Sequence, residues 1–278
     1  MRDRALQIGI SPCPNDVFAF HGLMSGAVKM PGIQLVFAIH DVEELNRRFA
    51  RGEWDASKVS FFAALGMTRE CVVLRAGSAL GFGVGPLLLA RRNAQPLEEA
   101  RVLCPGERTT AHFLLRTFHQ EVRRIEHTVF SAIMPELERG TADYGVCIHE
   151  GRFTYERHGL TLVEDLGQTW ETHTRSPLPL GGILARRTLT PEVMRALDDA
   201  IQRSIDHARA HPDETLIAMR SHARELDDDV IRAHVDLYVN NETRDLGTVG
   251  ERALFAFEAR ARSAGFMPRE TPALEVRQ

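Results

Sequence analysis

The stretch Gly145-Val146-Cys147-Ile148-His149-Glu150-Gly151-Arg152-Phe153-Thr154-Tyr155 sets a run of small and apolar residues directly before a histidine and a glutamate. Residues 144–148 read as a short buried strand, so His149 stands where a strand gives way to a loop. In α/β folds that edge is where ligands and chemistry collect. Histidine is also the side chain best suited to moving protons near neutral pH. The chain holds twelve histidines, so context and not rarity marks this one. From the residues alone a plainer role stays open, in which His149 only closes the strand with a backbone bond.

Outward from that stretch the same wiring recurs. Residues 5–10 read as a strand that runs into Ser11-Pro12-Cys13-Pro14-Asn15-Asp16, where two prolines fix an extended turn. Asn15 or Asp16 is expected to cap a helix over 17–25. Residues 33–39 form a second strand, Asp41 opens a helix carrying Leu45 and Phe49 on one face, and Gly52 stops it. Residues 55–61 form a strand on which Lys58 and Ser60 share one side, since side chains alternate; both could reach a ligand there, or be a surface lysine and a capping serine. Strands follow at 71–75 and 87–90, with the glycine-rich stretch 77–86 between them. That stretch does not match G-x-G-x-x-G, so no dinucleotide site is expected. It marks the first crossing between two domains.

A second α/β region opens with a strand at 101–104, the turn Pro105-Gly106-Glu107-Arg108-Thr109-Thr110 and an amphipathic helix from Ala111. A glycine turn, two hydroxyls and a helix N-terminus suit an anion, although either threonine could simply cap. Further expected elements are a strand at 127–130, a short helix at 134–138 and a strand at 160–163. An apolar loop is expected around Trp170, Arg175 and 178–180. The strand at 181–186 returns to the first domain. The remainder reads as helices over 190–208, 213–222, 227–239 and 250–264, with Pro191 at a first helical position and Gly265 at a stop. Two crossings and a helical return predict two α/β lobes with a ligand cleft and hinge between them. The expected boundaries are 1–86 with 187–278 for the larger lobe, and 87–186 for the smaller.

Composition narrows the function. The 278 residues are 44% hydrophobic with a net charge of -4, and the pI is near 6.3. This argues against a nucleic-acid binder, which usually shows a basic face. No stretch reaches the ~18 apolar residues of a membrane span, and the charged N-terminus is broken by Pro12, so no secretory signal is read. A soluble, cytoplasmic protein is expected, with no membrane partner. Cys13, Cys71, Cys104 and Cys147 are far apart, which excludes a zinc-ribbon or disulfide pattern; Cys13, between two prolines, is a candidate reactive thiol. His149-Glu150 is not followed by histidine at 153, so the zinc-protease motif fails. His207 and His211 lie four apart on a helix, but no third metal ligand is visible in the sequence, and they read as solvated.

The motifs Ser11-Pro12-Cys13-Pro14-Asn15-Asp16, Thr109-Thr110-Ala111 and His149-Glu150-Gly151-Arg152-Phe153-Thr154-Tyr155 closely resemble the 1,4-dihydroxy-6-naphthoate synthase family of the futalosine route to menaquinone. Gly83-Val84-Gly85-Pro86, Leu178-Pro179-Leu180-Gly181, and His234 with Tyr238-Val239-Asn240 resemble it too. Val17 stands where the family usually has threonine, and Gly151 where it has a small polar residue or alanine. The resemblance implies the two-lobed fold of type II periplasmic binding proteins. It further implies a lyase acting on cyclic dehypoxanthinyl futalosine, a small substrate carrying a carboxylate, without metal or organic cofactor. His149 matches the proton-abstracting histidine. Lys58, Val59 and Ser60 match one substrate-contacting segment and Thr110-Ala111 the other; Ser11, Asn15 and Thr109 complete the expected site. A monomer or homodimer is expected. Chorismate dehydratase, which shares the fold, and a non-catalytic solute-binding protein are the rival readings.

Overall fold

The computed structural model describes residues 4–148, 151–222 and 227–277. The chain divides into two units, Met1–Leu80 with Pro179–Gln278, and Gly81–Leu178. In chain order the first unit begins with β1 (Arg4–Ile10), α1 (Pro14–Met24), β2 (Ile33–Ile39), α2 (Val42–Ala50), β3 (Ala56–Ser60), α3 (Phe61–Ala64), β4 (Cys71–Val73) and β5 (Ala79–Gly81). The second holds β6 (Leu87–Ala90), β7 (Arg101–Cys104), α4 (Thr110–Phe118), β8 (Arg124–His127), α5 (Phe130–Glu138), β9 (Tyr144–Cys147), α6 (Gly151–Thr154), a 3-10 turn, β10 (Thr161–Asp165) and α7 (Leu166–Thr174). The first unit resumes with β11 (Leu178–Arg186), α8 (Pro191–Ala210), α9 (Pro212–His222), α10 (Asp228–Tyr238), α11 (Asn241–Arg244) and α12 (Gly247–Ser263).

The first sheet runs β2-β1-β3-β11-β4, with β5 also paired to β11. β1 lies between β2 and β3 and is parallel to both, whereas β11 is antiparallel to β3 and β4. Because β5 and β11 belong to this sheet, the chain changes unit at 80 and at 178, a few residues before the boundaries expected from sequence. The second sheet runs β10-β6-β9-β7-β8, and β7 lies between β8 and β9, parallel to both. Each sheet therefore carries one point where strand order reverses, beside β1 and β3 in one unit and beside β7 and β9 in the other. Ligands of open α/β sheets bind outside the carboxyl ends of the strands at such points.

The first unit's core lies between its sheet and α1, α8 and α9. Leu6, Ile8, Val17, Phe20, Ile183 and Ile201 are buried there. α8 buries Leu197, Ile201, Ile205 and Ala208, and Thr190 caps that helix by accepting from Val193 N–H. Leu87, Leu103, Ile133 and Leu137 form the second unit's core.

Three expectations are corrected. α1 begins at Pro14, with Cys13 at the cap and no side-chain cap bond, because proline at the first helical position sacrifices no hydrogen bond; Asn15 and Asp16 are inside the helix. The strand expected at 127–130 is β8, ending at His127, and Phe130 already belongs to α5. Its Arg-Ile-Glu-His sequence is polar because β8 is an edge strand. The expected loop around Trp170 is instead α7, capped by Asp165. Among the described residues no helix is long and apolar enough to cross a membrane.

Candidate active site

The first unit's switch point is a buried polar network built around Asp16. Its Oδ2 accepts hydrogen bonds from Ser11 Oγ (2.6 Å) and Ser11 N (3.3 Å). Its Oδ1 lies 2.7 Å from Lys58 Nζ and accepts from Asn15 Nδ2 at 3.0 Å. Asp16 is 2% exposed and Lys58 6%. Charges so far from water persist only when paired and hydrogen-bonded, and both conditions are met here, since Lys58 Nζ also donates to Gly77 O (3.0 Å). The Asn15 amide is oriented by its donation to Asp16, so its Oδ1 faces His234 Nε2 at 3.0 Å. An acceptor on that side requires the His234 proton on Nε2. His234 is itself buried and lies beside Tyr238, ring centroids 4.8 Å apart.

Ser60 ends β3 and caps α3, accepting from Ala63 N. Asn46, fully buried on α2, holds it from both sides: Nδ2 donates to Ser60 Oγ (3.1 Å), and Oδ1 accepts Ser60 N–H (2.9 Å). The Val59 side chain is fully buried, so this residue has only its backbone to offer a ligand. Gly181 on β11 keeps the surface above Lys58 open: a Cβ there would lie 2.8 Å from Val59 O and 3.4 Å from Lys58 Cε.

In the second unit, Gly106 takes φ 148°, a region open in practice to glycine, and turns the chain from β7 toward α4. Thr109 is the N-cap: its hydroxyl accepts from His112 N (3.2 Å) and donates to Gly106 O (2.8 Å). With Thr109 committed to capping, the anion-binding reading passes to Thr110 and the first-turn N–H groups; Thr110 and Ala111 are both buried. His112 Nδ1 lies 3.1 Å from His127 Nε2. Burial, followed by the neighbouring His127 and Arg116, pushes the His112 pKa down from 6.5 to about 4, so it is neutral at pH 7. Any attraction for an anion there comes from backbone dipoles and not from an imidazolium.

His149 and Glu150 lie outside the described residues. Arg152, from the same motif, donates to Gly85 O (3.0 Å) and pairs with Asp165. It thereby fixes the Gly83-Val84-Gly85-Pro86 segment against the start of α7. The four cysteines are buried and form no disulfide; Cys13, the candidate reactive thiol between two prolines, is 5% exposed. Burial raises the Cys71 pKa to about 11 and that of Cys147 to about 12, which leaves both as inert thiols.

Ser11, Asn15 and Lys58, expected separately, are thus joined in one network, with Ser60 two residues from Lys58. Thr109, Thr110 and Ala111 belong to the other unit. Sequence reasoning took Asp16 for a cap and passed over Asn46. An acid inside a first turn and an asparagine on an otherwise apolar helix face were the available signals.

The menaquinone-biosynthesis family model matches residues 6–263. A 1,4-dihydroxy-6-naphtoate synthase of Thermus thermophilus is 48% identical over 261 residues, which cover 94% of this chain and 95% of that protein. A crystal structure of a protein from Archaeoglobus fulgidus aligns with a TM-score of 0.90 at 29% identity, covering 95% of this chain and 98% of that one. The periplasmic aliphatic sulphonate binding protein SsuA of Escherichia coli aligns at 0.65 and 13% identity, covering 96% and 90%, a likeness of fold. The fold is that of the periplasmic binding proteins, and the chain belongs to the menaquinone-biosynthesis family.

Proposed function

We propose that this family member is a carbon–carbon lyase, a 1,4-dihydroxy-6-naphthoate synthase that converts cyclic dehypoxanthinyl futalosine to 1,4-dihydroxy-6-naphthoate and a sugar-derived fragment. The observation that carries the reading is the 48% identity to a synthase of that name along nearly the whole chain. It is supported by the grouping of Ser11, Asn15 and Lys58 about one buried carboxylate at a sheet's switch point.

His149 is the proposed base. Removing a proton beside a carbonyl prepares the carbon–carbon bond for cleavage, and aromatisation draws the reaction forward. A positioned base supplies about 10²–10⁴-fold of the rate. Ser11, Asn15, Lys58, the Val59 backbone and Ser60 are proposed substrate-binding residues, as are Thr110 and Ala111, with Thr109 capping the helix whose first-turn N–H groups they carry. The helix α4 N-terminus suits the substrate's carboxylate. The chemical step is proposed to need no metal or organic cofactor, and the enzyme to act in the cytoplasm on a small molecule.

The test is to incubate the purified protein separately with cyclic dehypoxanthinyl futalosine and with chorismate, and follow products by mass. Naphthoate from the first substrate alone is expected. A dehydrated product from chorismate would make the protein a chorismate dehydratase, and binding without turnover would make it a solute-binding protein. His149→Ala is expected to keep substrate binding and lose at least a hundredfold in kcat. Near-normal turnover would remove His149 from the base role.

A further inference from the structure

Away from the polar network, the helices of the first unit bring together three side chains that the proposed reaction does not use. His21 stands on α1, His207 in the last turn of α8, and Glu214 in the first turn of α9. Their potential ligand atoms all lie within 4.8 Å of one another, the one such group among the described residues. His21 Nε2 lies 3.1 Å from Glu214 Oε1, and the rings of His21 and His207 are 5.9 Å apart at 31°. His21 is buried, whereas Glu214 is about half exposed. His207 Nε2 is shielded from solvent and has no hydrogen-bond partner. A buried polar nitrogen left in that state is costly.

We infer that His21, His207 and Glu214 form a binding site for a divalent transition-metal ion of the zinc class. Two imidazoles and one carboxylate form a recurrent three-ligand zinc set that leaves a fourth position for water. Two nitrogen donors among three ligands favour zinc and its neighbours over magnesium or calcium. With metal–ligand bonds of about 2.0–2.1 Å, tetrahedral ligand atoms sit about 3.3 Å apart. The His21–Glu214 spacing is already near that value. The remaining closure falls within the reach of the exposed Glu214 side chain and rotation of the His207 ring. Ligation through His21 Nε2 requires that nitrogen as the acceptor, with the ring proton on Nδ1.

The pair His207 and His211, at helical spacing in the sequence, is not the donor pair. Their rings stack at 4.1 Å, and His211 Nδ1 faces the His207 carbonyl at 2.9 Å. The two partners of His207 that the sequence does not reveal come from α1, remote in the chain, and from α9, beyond the end of α8. The role assigned is structural. The ion would tie α1, α8 and α9 together about a turn and a half along α1 from Asp16, and it takes no part in the chemical step.

The experiment uses untagged, chelator-treated, full-length protein titrated with zinc chloride. Calorimetry and equilibrium dialysis with metal quantitation give stoichiometry and affinity, and Co²⁺ substitution gives the coordination geometry by visible absorption. One ion per chain with a micromolar or tighter Kd is expected, together with a tetrahedral Co²⁺ spectrum and a rise of a few degrees in melting temperature at saturating zinc. Glu214→Gln, at an exposed position that leaves the fold intact, should weaken binding at least tenfold and abolish the rise. His207→Ala should do the same, and His211→Ala should leave both unchanged. Absence of stoichiometric binding would overturn the site. So would binding indifferent to Glu214→Gln and His207→Ala, or binding lost in His211→Ala; either would place the ion on other histidines.

Discussion

Lys58 and Asp16 are both nearly sealed from water and 2.7 Å apart. Each charge is tolerable because the other is present. Removing one leaves an uncompensated buried charge, typically a loss of about 3–5 kcal/mol. Replacing both by neutral residues of similar shape avoids that penalty. Lys58→Met and Asp16→Asn should each lower stability by about that amount in urea unfolding, and the double variant should lose clearly less than the sum. Additive losses would mean the pair is not coupled. His112 gives a second residue-scale prediction. Its pKa is depressed in the folded protein to about 4, against 6.5 for the free side chain. Between those values the unfolded chain binds a proton that the native state does not, so stability falls as pH drops from about 6.5 to 4 and the loss levels off below. The ring is partly solvated, which reduces the effect to about 1–2 kcal/mol. His112→Gln should flatten that segment of a stability-versus-pH curve, and an unchanged slope would assign the loss elsewhere. The residue types at this site were legible in the sequence. Their partners were not: Asp16 meets Lys58 across 42 positions, and Asn15 meets His234 across 219, contacts that depend on which strands become neighbours.

Among the elements, three strands were readable over their full length from apolar runs bounded by polar or turn residues: residues 33–39, 87–90 and 101–104 coincide with β2, β6 and β7. The elements misread are those whose cause is tertiary. α7 carries three threonines, weak helix formers, and it forms because Trp170 is fully buried with its ring 6.2 Å from Phe113. β8 is polar because it borders the sheet, so hydrophobic alternation could not reveal it. Asp165 shows how an element end can carry two loads. One oxygen caps α7 through Gly167 and Gln168 N–H, and the other pairs with Arg152. An ordinary cap costs about 1 kcal/mol when removed, the figure expected for Thr190→Ala on α8. Asp165→Ala also strands the partly buried Arg152 guanidinium and should cost about 2–4 kcal/mol. Equal losses in thermal melts of the two variants would show that the Arg152 pair adds nothing to the cap.

For the molecule as a whole, the chain order determines which part can stand alone. The second unit is one continuous segment, Gly81–Leu178. It holds all five strands of its sheet and its own core of Leu87, Leu89, Leu103, Ile133 and Leu137. The two ends of the segment meet: a Cβ placed on Gly85 would fall 2.8 Å from Leu178 and 2.7 Å from Gly167. Nearby chain termini are a property of units that tolerate excision. The first unit is different. β11 sits between β3 and β4 and begins only at Leu178. α8, which contributes Leu197, Ile201 and Ile205 to the core, also comes later. A fragment ending at residue 80 would lack both the strand that joins its sheet and the helix that covers α1. The fragment 81–178 is therefore expected to fold alone, with a single cooperative thermal transition and a stability of about 5–10 kcal/mol, the ordinary range for a domain of its size. The fragment 1–80 is expected to show no cooperative transition, because its apolar face has nothing to bury against. Circular dichroism melts of both fragments decide the matter. A non-cooperative 81–178 would mean that the unit's stability is borrowed from the rest of the chain, and a cooperative 1–80 would mean that β1, β2, β3 and α1 suffice without β11 and α8.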